Sequence, residues 1–275
     1  MTIAQSPEPL VRLPPVNLRP IIAAAAILMV SSSPPLPAAE PGYAVWNGLL
    51  NRYYHPDHGM DYGSLQAHDR PPLQQVQRML AGVDVSSLTA QEQLAYWINL
   101  YNVSVVALVV EHYPIRSIRD LSTDPFIRLN VFKKKRVHAG GILMSLDEIE
   151  HEKIRKPFRD PRIHFAINCA AKSCPPILGE AFVGSRIDEQ LDDQVRRFAA
   201  GGGLRVASRG GTTTVTTTKI MKWFADDFDR WSGGAIAFLR RYMPPEKLRI
   251  VTGARDVEIE FDDYDWSLND WKLRP

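Results

Sequence analysis

Both cysteines of this 275-residue chain lie in one short segment, residues 160–176, which reads Asp-Pro-Arg-Ile-His-Phe-Ala-Ile-Asn-Cys-Ala-Ala-Lys-Ser-Cys-Pro-Pro. A cysteine acts as a nucleophile through its thiolate, and a nearby cation, histidine or helix N-terminus is needed to lower the thiol pKa from about 8.5. This segment supplies a lysine and a histidine close to the two thiols. It therefore predicts thiol chemistry, with Cys169 and Cys174 as the candidate nucleophiles.

Two groups of side chains are expected to support such a thiol. Histidines can take the thiol proton, and asparagines can orient a histidine or donate a hydrogen bond to an oxyanion. The candidate catalytic residues are Cys169, Cys174, His151, His164 and Asn168. The candidate substrate-binding residues are Asn99, Asn102, Lys172 and Ser173.

The choice between the two thiols rests on the residues that follow each of them. Two prolines follow Cys174, and proline has no backbone N–H to donate to an oxyanion. Cys169 is followed by Ala170 and Ala171, which both have that N–H group. This argument favours Cys169 slightly.

Two other interpretations of the same residues stay open. His151, His164, Cys169 and Cys174 offer two nitrogens and two sulfurs, a legitimate zinc set, although their spacing is not that of known zinc fingers. Alternatively the domain is a noncatalytic binding or interaction domain with a Cys169 to Cys174 disulfide, as an exported protein permits. We expect no cofactor.

The segment's own pattern predicts how the thiols are held. Residues 162–168 alternate between apolar and polar or small side chains, which is the period of a β-strand. The two prolines at 175–176 forbid a continuation of that strand. The cysteines would then lie at its C-terminal end, where open sheets commonly place catalytic groups.

The clearest predicted element is a helix over residues 90–112. Thr89 and Glu92 form a capping box, and the apolar pattern continues to Pro114. The helix is apolar over most of its circumference and should be buried on several faces. Asn99 and Asn102 lie three residues apart on one face of it and need polar partners, which are either backbone groups of a loop or a substrate.

The remaining segments predict a helix-rich α+β fold. Helices are expected at residues 43–54, 73–80, 145–157, 185–200, 219–228 and 235–243. Hairpins are expected within residues 126–144, with the basic run 133–136 as the turn, and within 204–218, and a strand from residue 259. We expect one domain over residues 40–275, with the buried helix on a small mixed or antiparallel sheet and an architecture compatible with papain-like or transglutaminase-like enzymes.

The N-terminus indicates export. Two arginines precede an apolar run over residues 21–30 and then a stretch of small residues and prolines, the order of a signal peptide at residues 1–39. We expect a secreted or periplasmic protein that meets the membrane only through this segment if it stays uncleaved. A net charge of +2 argues against nucleic acid as a partner, and a cell-envelope peptide or polymer is the expected partner or substrate.

Five motifs carry a resemblance to a family of unknown function, catalogued as domain of unknown function 547. They are Ala-Tyr-Trp-Ile-Asn-Leu-Tyr-Asn at residues 95–102, Ser-Leu-Asp-Glu-Ile-Glu-His at 145–151, the cysteine segment at 160–176, Lys-Trp-Phe-Ala-Asp-Asp-Phe at 222–228 and Tyr-Asp-Trp-Ser-Leu-Asn at 264–269. The resemblance implies no chemistry, because the family has no settled activity. The predicted function, a cysteine-dependent hydrolase or acyltransferase on peptide or amide bonds, therefore rests on the residue types alone.

Overall fold

A long buried helix, α4 (Ala90–His112), is the centre of the fold in this computed structural model, which describes residues 43–56, 59–122 and 130–271. Its capping box forms as expected: the Glu92 N–H donates to Thr89 Oγ1, and the Thr89 N–H donates to Glu92 Oε2 at 2.8 Å. Within the described residues α4 is the one helix long and apolar enough to cross a bilayer, and it is buried in the core. The predicted signal peptide, residues 1–39, lies outside the described ranges.

The other elements are short. The helices are α1 (Tyr43–Tyr53), α2 (Tyr62–His68), α3 (Arg70–Ala81), α5 (Asn130–Lys133), α6 (Leu146–Glu148), α7 (Lys156–Phe158), α8 (Ile187–Ala200), α9 (Ile220–Trp223), α10 (Ala225–Ser232), α11 (Ala235–Arg240) and α12 (Pro245–Gly253). A π-helix, Ile149–Arg155, joins α6 to α7, and 3₁₀ turns occupy Val85–Ser87, Ile118–Leu121, Pro161–Phe165 and Gly184–Arg186. The strands are β1 (Tyr54–His55), β2 (Gly59–Met60), β3 (Val137–Ala139), β4 (Ile142–Met144), β5 (Leu204–Arg209), β6 (Thr212–Thr217) and β7 (Asp256–Phe261).

The expected α+β class is confirmed. Strands β5, β6 and β7 form a mixed sheet in that order, with β5 antiparallel to β6 and β6 parallel to β7. The β5–β6 turn falls at Gly210 and Gly211, whose φ angles of +60° and +93° suit a two-residue hairpin turn. The main neighbours of α4, however, are helices, and the three-stranded sheet packs on α8 and α12 instead.

Two apolar clusters divide the core, and the cysteine segment lies where they meet. The first surrounds α4 and includes Ile163, Ala166 and Ile167. The second lies under the three-stranded sheet and includes Phe165, which is fully buried against Phe198 and Phe238. Successive residues of one segment are thus anchored in both clusters, which fixes the loop that follows.

The strand predicted over residues 162–168 is wrong: the chain forms a 3₁₀ turn, Pro161–Phe165, and then an irregular loop. Asp160 caps this turn by accepting the Arg162 N–H at 2.9 Å, and Pro161 has the φ that a helical start requires. The alternation was misleading because the polar residues are buried too. His164 and Asn168 are each only 2% exposed, and both have hydrogen-bonding partners inside the protein.

The hairpin predicted within residues 126–144 also needs correction. Its first half lies partly outside the described residues and otherwise forms α5, so the basic run precedes the hairpin instead of turning it. The actual strands are β3 and β4, and their turn is made by Gly140 and Gly141 with φ angles of +54° and +79°. Two consecutive residues with positive φ favour glycine, which the basic run does not contain.

The chain's end runs back across the cysteine segment. We call residues 166–176 the cysteine loop and residues 262–271 the C-terminal segment. Three backbone hydrogen bonds join the two: Lys172 N to Ser267 O at 2.9 Å, Ser173 N to Asp265 O at 3.3 Å, and Asn269 N to Ala170 O at 3.0 Å. This pairing carries Tyr264 to the two thiols.

Candidate functional site

A cavity of about 390 Å³ opens beside the cysteine loop, and we call it the aromatic cavity. Four of the five predicted catalytic residues border it, namely Cys169, Cys174, His151 and His164. The chain brings them together from the π-helix, the 3₁₀ turn and the loop. The rest of its wall has six apolar side chains, two tyrosines and three charged residues: Phe132, Ile167, Ile220, Trp223, Phe224 and Trp266, then Tyr101 and Tyr264, then Lys133, Asp147 and Glu150.

Hydrogen-bond donors converge on the sulfur of Cys174. The backbone N–H of Cys169 lies 3.1 Å from Cys174 Sγ, and the Tyr264 hydroxyl lies 3.1 Å from it. The Tyr264 hydroxyl is also 3.3 Å from Cys169 Sγ, so it contacts both thiols. Both cysteines are free thiols in this structure. Cys174 Sγ is therefore the acceptor for these hydrogen bonds, and Cys169 supplies one of the donors.

A left-handed residue shapes the loop around this sulfur. Ala170 has a φ of +63°, a conformation that costs a non-glycine residue about 1–2 kcal/mol. Two hydrogen bonds hold it there: its N–H donates to Asn168 Oδ1 at 2.7 Å, and its carbonyl accepts the Asn269 N–H at 3.0 Å. The resulting turn directs the N–H groups of Cys169 and Ala171 towards Cys174, as a backbone nest does for an anion.

The pKa values of the two thiols are shifted in opposite directions. The hydrogen bond to Cys174, together with burial, raises the pKa of Cys169. Burial also raises the pKa of Cys174, but hydrogen bonds from Cys169, Tyr264 and the backbone outweigh it, and the pKa of Cys174 falls below its ordinary value. Burial and the two sulfurs raise the pKa of Tyr264, which therefore stays a donor. These contacts favour ionisation of Cys174 over Cys169, which reverses the slight preference for Cys169.

Neither histidine hydrogen bonds to a sulfur. His164 Nε2 lies 2.8 Å from Asp227 Oδ2, and the same oxygen accepts Arg155 Nε at 2.8 Å. Burial opposes the ionised carboxylate, but these two hydrogen bonds hold the pKa of Asp227 well below its usual range. Asp227 is therefore an acceptor, which places the proton of neutral His164 on Nε2 and leaves Nδ1 unprotonated.

His151 belongs to the same chain of contacts. Its Nδ1 lies 2.8 Å from Arg155 Nη1, and an arginine can only donate, so the proton of neutral His151 is on Nε2. Burial lowers the pKa of His151 and also that of His164, against the opposing effect of nearby carboxylates. Both imidazoles are thus favoured in the neutral form, and the Nε2–H of His151 faces Asp147 Oδ1 at 3.6 Å on the wall of the cavity.

A carboxyl group that sequence reasoning missed faces the same cavity. Glu150 borders it beside His151, and burial raises the pKa of Glu150 to about 7. The carboxyl has no hydrogen bond to another described side chain, and the charge of Cys174 contributes to the shift. A group with a pKa near 7 exchanges its proton readily at neutral pH, as a general acid and base must.

A π-helix carries Glu150 and His151, the two adjacent residues that border the cavity. In an α-helix neighbouring side chains point about 100° apart, whereas a π-helix is wider and repositions them. Its i→i+5 pattern is visible where the Lys156 N–H donates to the His151 carbonyl. Such insertions are rare and are frequently found at functional sites.

We expect Glu150→Gln to change how stability depends on pH. The folded-state pKa of about 7 exceeds the unfolded value near 4.3, so the wild type loses stability as pH rises from about 4.5 to 7. The amide cannot ionise, so the variant should gain about 2–3 kcal/mol relative to wild type between pH 5 and pH 8.

The measurement is urea unfolding across that pH range. Glu152→Gln is the matched control, because Glu152 lies on the same π-helix but is exposed and pairs with Lys156. If the difference in the free energy of unfolding between Glu150→Gln and wild type did not change with pH, the raised pKa of Glu150 would be contradicted.

The three asparagines hold the framework together. Asn102 Nδ2 donates to the Ala166 carbonyl at 2.9 Å, and Asn102 Oδ1 accepts the Asn168 N–H at 2.9 Å, so one amide clamps the start of the cysteine loop. Asn99 clamps Phe182 in the same way, with bonds of 2.7 and 2.9 Å. Asn99 and Asn102 were expected to line the site, but both amides bond backbone groups and neither residue borders the aromatic cavity.

Asn168 is likewise a positioning residue within the loop. Its Nδ2 donates to the Pro175 carbonyl at 2.8 Å, and its Oδ1 accepts from the Ala170 N–H and from Asn269 Nδ2. It is 2% exposed and does not border the aromatic cavity. Its amide therefore closes the loop across the span between the two cysteines.

Lys172 and Ser173 lie on the other side of the loop. They border a second cavity of about 530 Å³, which we call the basic cavity, and Cys174 and Tyr264 border it as well. Ser173 Oγ accepts the Asp265 N–H at 2.8 Å. The predicted substrate-binding pair is thus close to Cys174 but separate from the histidines.

Comparison with known families gives one match. Residues 85–199 match the family model described as "Protein of unknown function, DUF547". These residues form a domain of that family. The match contains α4, the π-helix and the cysteine loop, which are the parts of the DUF547 domain that hold the thiols. No curated protein and no solved structure matches the chain.

The residues that complete the site lie beyond the matched DUF547 region. Trp223, Phe224, Asp227, Tyr264 and Trp266 all follow residue 199. The sequence analysis assigned none of them to the site, and one of them, Trp223, is 48% exposed. The signal that could have found them is their membership of the two C-terminal motifs that carry the resemblance.

The geometry does not assemble a metal site. Within residues 43–56, 59–122 and 130–271, no group of three or more His, Cys, Asp or Glu side chains converges as a metal ion would require. His164 is bonded to Asp227, and His151 is bonded to Arg155.

Proposed function

We propose that this domain is a cysteine-dependent hydrolase or acyltransferase acting on peptide or amide bonds, with Cys174 as its nucleophile. The observation that carries the proposal is the convergence of the Tyr264 hydroxyl and the Cys169 N–H on Cys174 Sγ, at the edge of a cavity that also holds Glu150. Donors that favour the ionised sulfur are what a thiol nucleophile needs at neutral pH.

The acylation step uses both groups. The Cys174 thiolate attacks the carbonyl carbon, the S–C bond forms, and the C–N bond breaks as the tetrahedral intermediate collapses. Protonated Glu150 gives its proton to the leaving amine and becomes a carboxylate. A carboxyl with a pKa of about 7 is available in both forms for these two roles.

Deacylation reverses the proton transfer. The Glu150 carboxylate takes a proton from water as that water attacks the thioester carbonyl. The C–S bond then breaks, and the carboxylic acid product leaves with the Cys174 thiolate restored. In an acyltransferase, an amine takes the place of water. Neutral His151, with its N–H on Nε2, borders the same cavity as a hydrogen-bond donor.

The test uses p-nitrophenyl acetate, an activated acyl donor whose leaving group needs no acid. We expect a burst of nitrophenolate from reduced protein, with one acetyl group located on Cys174 by mass spectrometry. Glu150→Gln should still acetylate, but it should release acetate about 100-fold more slowly because the base is missing. Glu152→Gln should match wild type, and acetylation confined to lysines would overturn the proposal.

The second candidate function is a noncatalytic binding domain with a Cys169 to Cys174 disulfide. Its support is the closeness of the thiols, since one hydroxyl contacts both sulfurs and the Cys169 N–H contacts Cys174 Sγ. Protein purified without reductant distinguishes the two: a stable disulfide that blocks labelling, with no acyl transfer after reduction, would favour binding.

A further inference from the structure

Cys174 stands between two cavities of different character. The aromatic cavity lies on one side, and the basic cavity, of about 530 Å³, lies on the other. Cys174 and Tyr264 border both. A substrate whose scissile bond reaches Cys174 can therefore extend into two separate spaces.

The lining of the basic cavity has more cations than acids. Two acids border it, but Asp262 is held by Arg205, with N–O distances of 3.0 and 2.5 Å, and Asp263 by Lys219 at 3.0 Å. Lys172 and Arg197 border the same cavity, and neither forms an ion pair with another described residue, although the charge of Asp265 acts on Lys172 at longer range. The balance of the lining favours an anionic group.

The aromatic cavity favours an apolar group. Its wall includes Trp223 and Trp266, whose rings stack with centroids 6.2 Å apart and an interplanar angle of 24°. Trp223 is nevertheless 48% exposed and leaves a large apolar surface in contact with water. Covering such a surface is worth about 25 cal/mol per Å² of apolar area removed from water.

We propose that the substrate carries an apolar, ring-sized group on one side of its scissile bond and a carboxylate on the other, a proposal that rests on the function given above. The apolar group occupies the aromatic cavity. The carboxylate occupies the basic cavity against Arg197 and Lys172, where a guanidinium can bind both of its oxygens.

Two alkylating agents test the carboxylate half without knowledge of the substrate. Iodoacetate and iodoacetamide differ only in a carboxylate against an amide, and both report on Cys174 when the modified site is located by mass spectrometry. We expect Arg197→Gln to lower the iodoacetate rate about fivefold at low salt, with the iodoacetamide rate unchanged. Lys172→Gln should add to this, and high salt should reduce both effects.

Lys222→Gln is the matched control, since Lys222 is exposed and borders neither cavity. An iodoacetate to iodoacetamide ratio that is the same in wild type, Arg197→Gln and the Arg197→Gln, Lys172→Gln double variant would overturn the carboxylate subsite. Failure of the proposed function would look different, because wild-type Cys174 would then react with neither reagent below pH 8.

The apolar half has its own test. N-benzyl iodoacetamide should alkylate wild-type Cys174 about tenfold faster than iodoacetamide, and Trp223→Ala should remove most of that advantage. Trp271→Ala is the control, because Trp271 is 38% exposed but borders neither cavity. An equal advantage in wild type and Trp223→Ala would overturn the apolar subsite.

Discussion

Replacing Cys174 with alanine should abolish acetyl transfer from p-nitrophenyl acetate, with a loss of at least about 1,000-fold in the burst rate. The neighbouring thiol cannot substitute, because the hydrogen bond to Cys174 and burial raise the pKa of Cys169. Stopped-flow absorbance of nitrophenolate measures the rate, and circular dichroism shows that the variant is folded.

Cys169→Ala should give a different result. It removes the Cys169 thiol, a side-chain donor to Cys174 Sγ, while the backbone N–H of residue 169 stays in place. The pKa of Cys174 should therefore rise, and the pH–rate profile of Cys174 should shift upwards by about one pH unit. The maximal rate at high pH should stay within about threefold of wild type. Cys169→Ser keeps a donor and should restore most of the shift. Equal losses in Cys174→Ala and Cys169→Ala across all pH values would contradict the assignment.

The second large effect is expected from the two asparagines of α4. Asn102→Ala leaves the Ala166 carbonyl and the Asn168 N–H without their partner, and both groups are buried. Stranding two buried polar groups should lower the free energy of unfolding by about 2–4 kcal/mol. The released loop should also lose the geometry that lowers the pKa of Cys174, which would slow its alkylation at pH 7 about tenfold.

Asn99→Ala supplies a control of the same chemistry on the same helix. Asn99 makes an equivalent pair of bonds to Phe182, away from both thiols, so its loss should destabilise the protein by a similar amount. Its alkylation profile should nevertheless stay that of wild type. Urea unfolding and iodoacetamide kinetics separate the two effects, and identical kinetics in both variants would show that Asn102 is merely structural.

Local signals in the sequence were sufficient for the elements whose stabilisation is local. The capping box at Thr89, the apolar circumference of α4 and the paired glycines at 210–211 each involve residues within a few positions of one another. Such interactions specify a helix or a turn in any tertiary context. The same reasoning located the cysteine loop as the candidate site, because the reactive residue types are adjacent in the chain.

The parts that sequence reasoning missed depend on contacts between distant residues. Tyr264 reaches Cys174 from 90 residues away through backbone pairing of two irregular segments, and irregular segments have no periodicity to recognise. Residues 162–168 alternate between apolar and polar side chains as a half-exposed strand does. Here, however, the polar side chains are buried as well, because each forms hydrogen bonds inside the protein. Glu150 borders the cavity from a π-helix, an element that no simple residue pattern indicates.

The rate of alkylation by iodoacetamide across pH 5–10 tests most directly whether the surroundings of Cys174 favour its thiolate over that of Cys169. With reduced protein and the modified site located by mass spectrometry, the account predicts fast labelling of Cys174 well below pH 8 and slow labelling of Cys169 throughout. Tyr264→Phe, which lacks the donating hydroxyl, should shift the Cys174 profile to higher pH. Slow and equal labelling of both cysteines, with midpoints near the ordinary thiol pKa of about 8.5, would contradict the account.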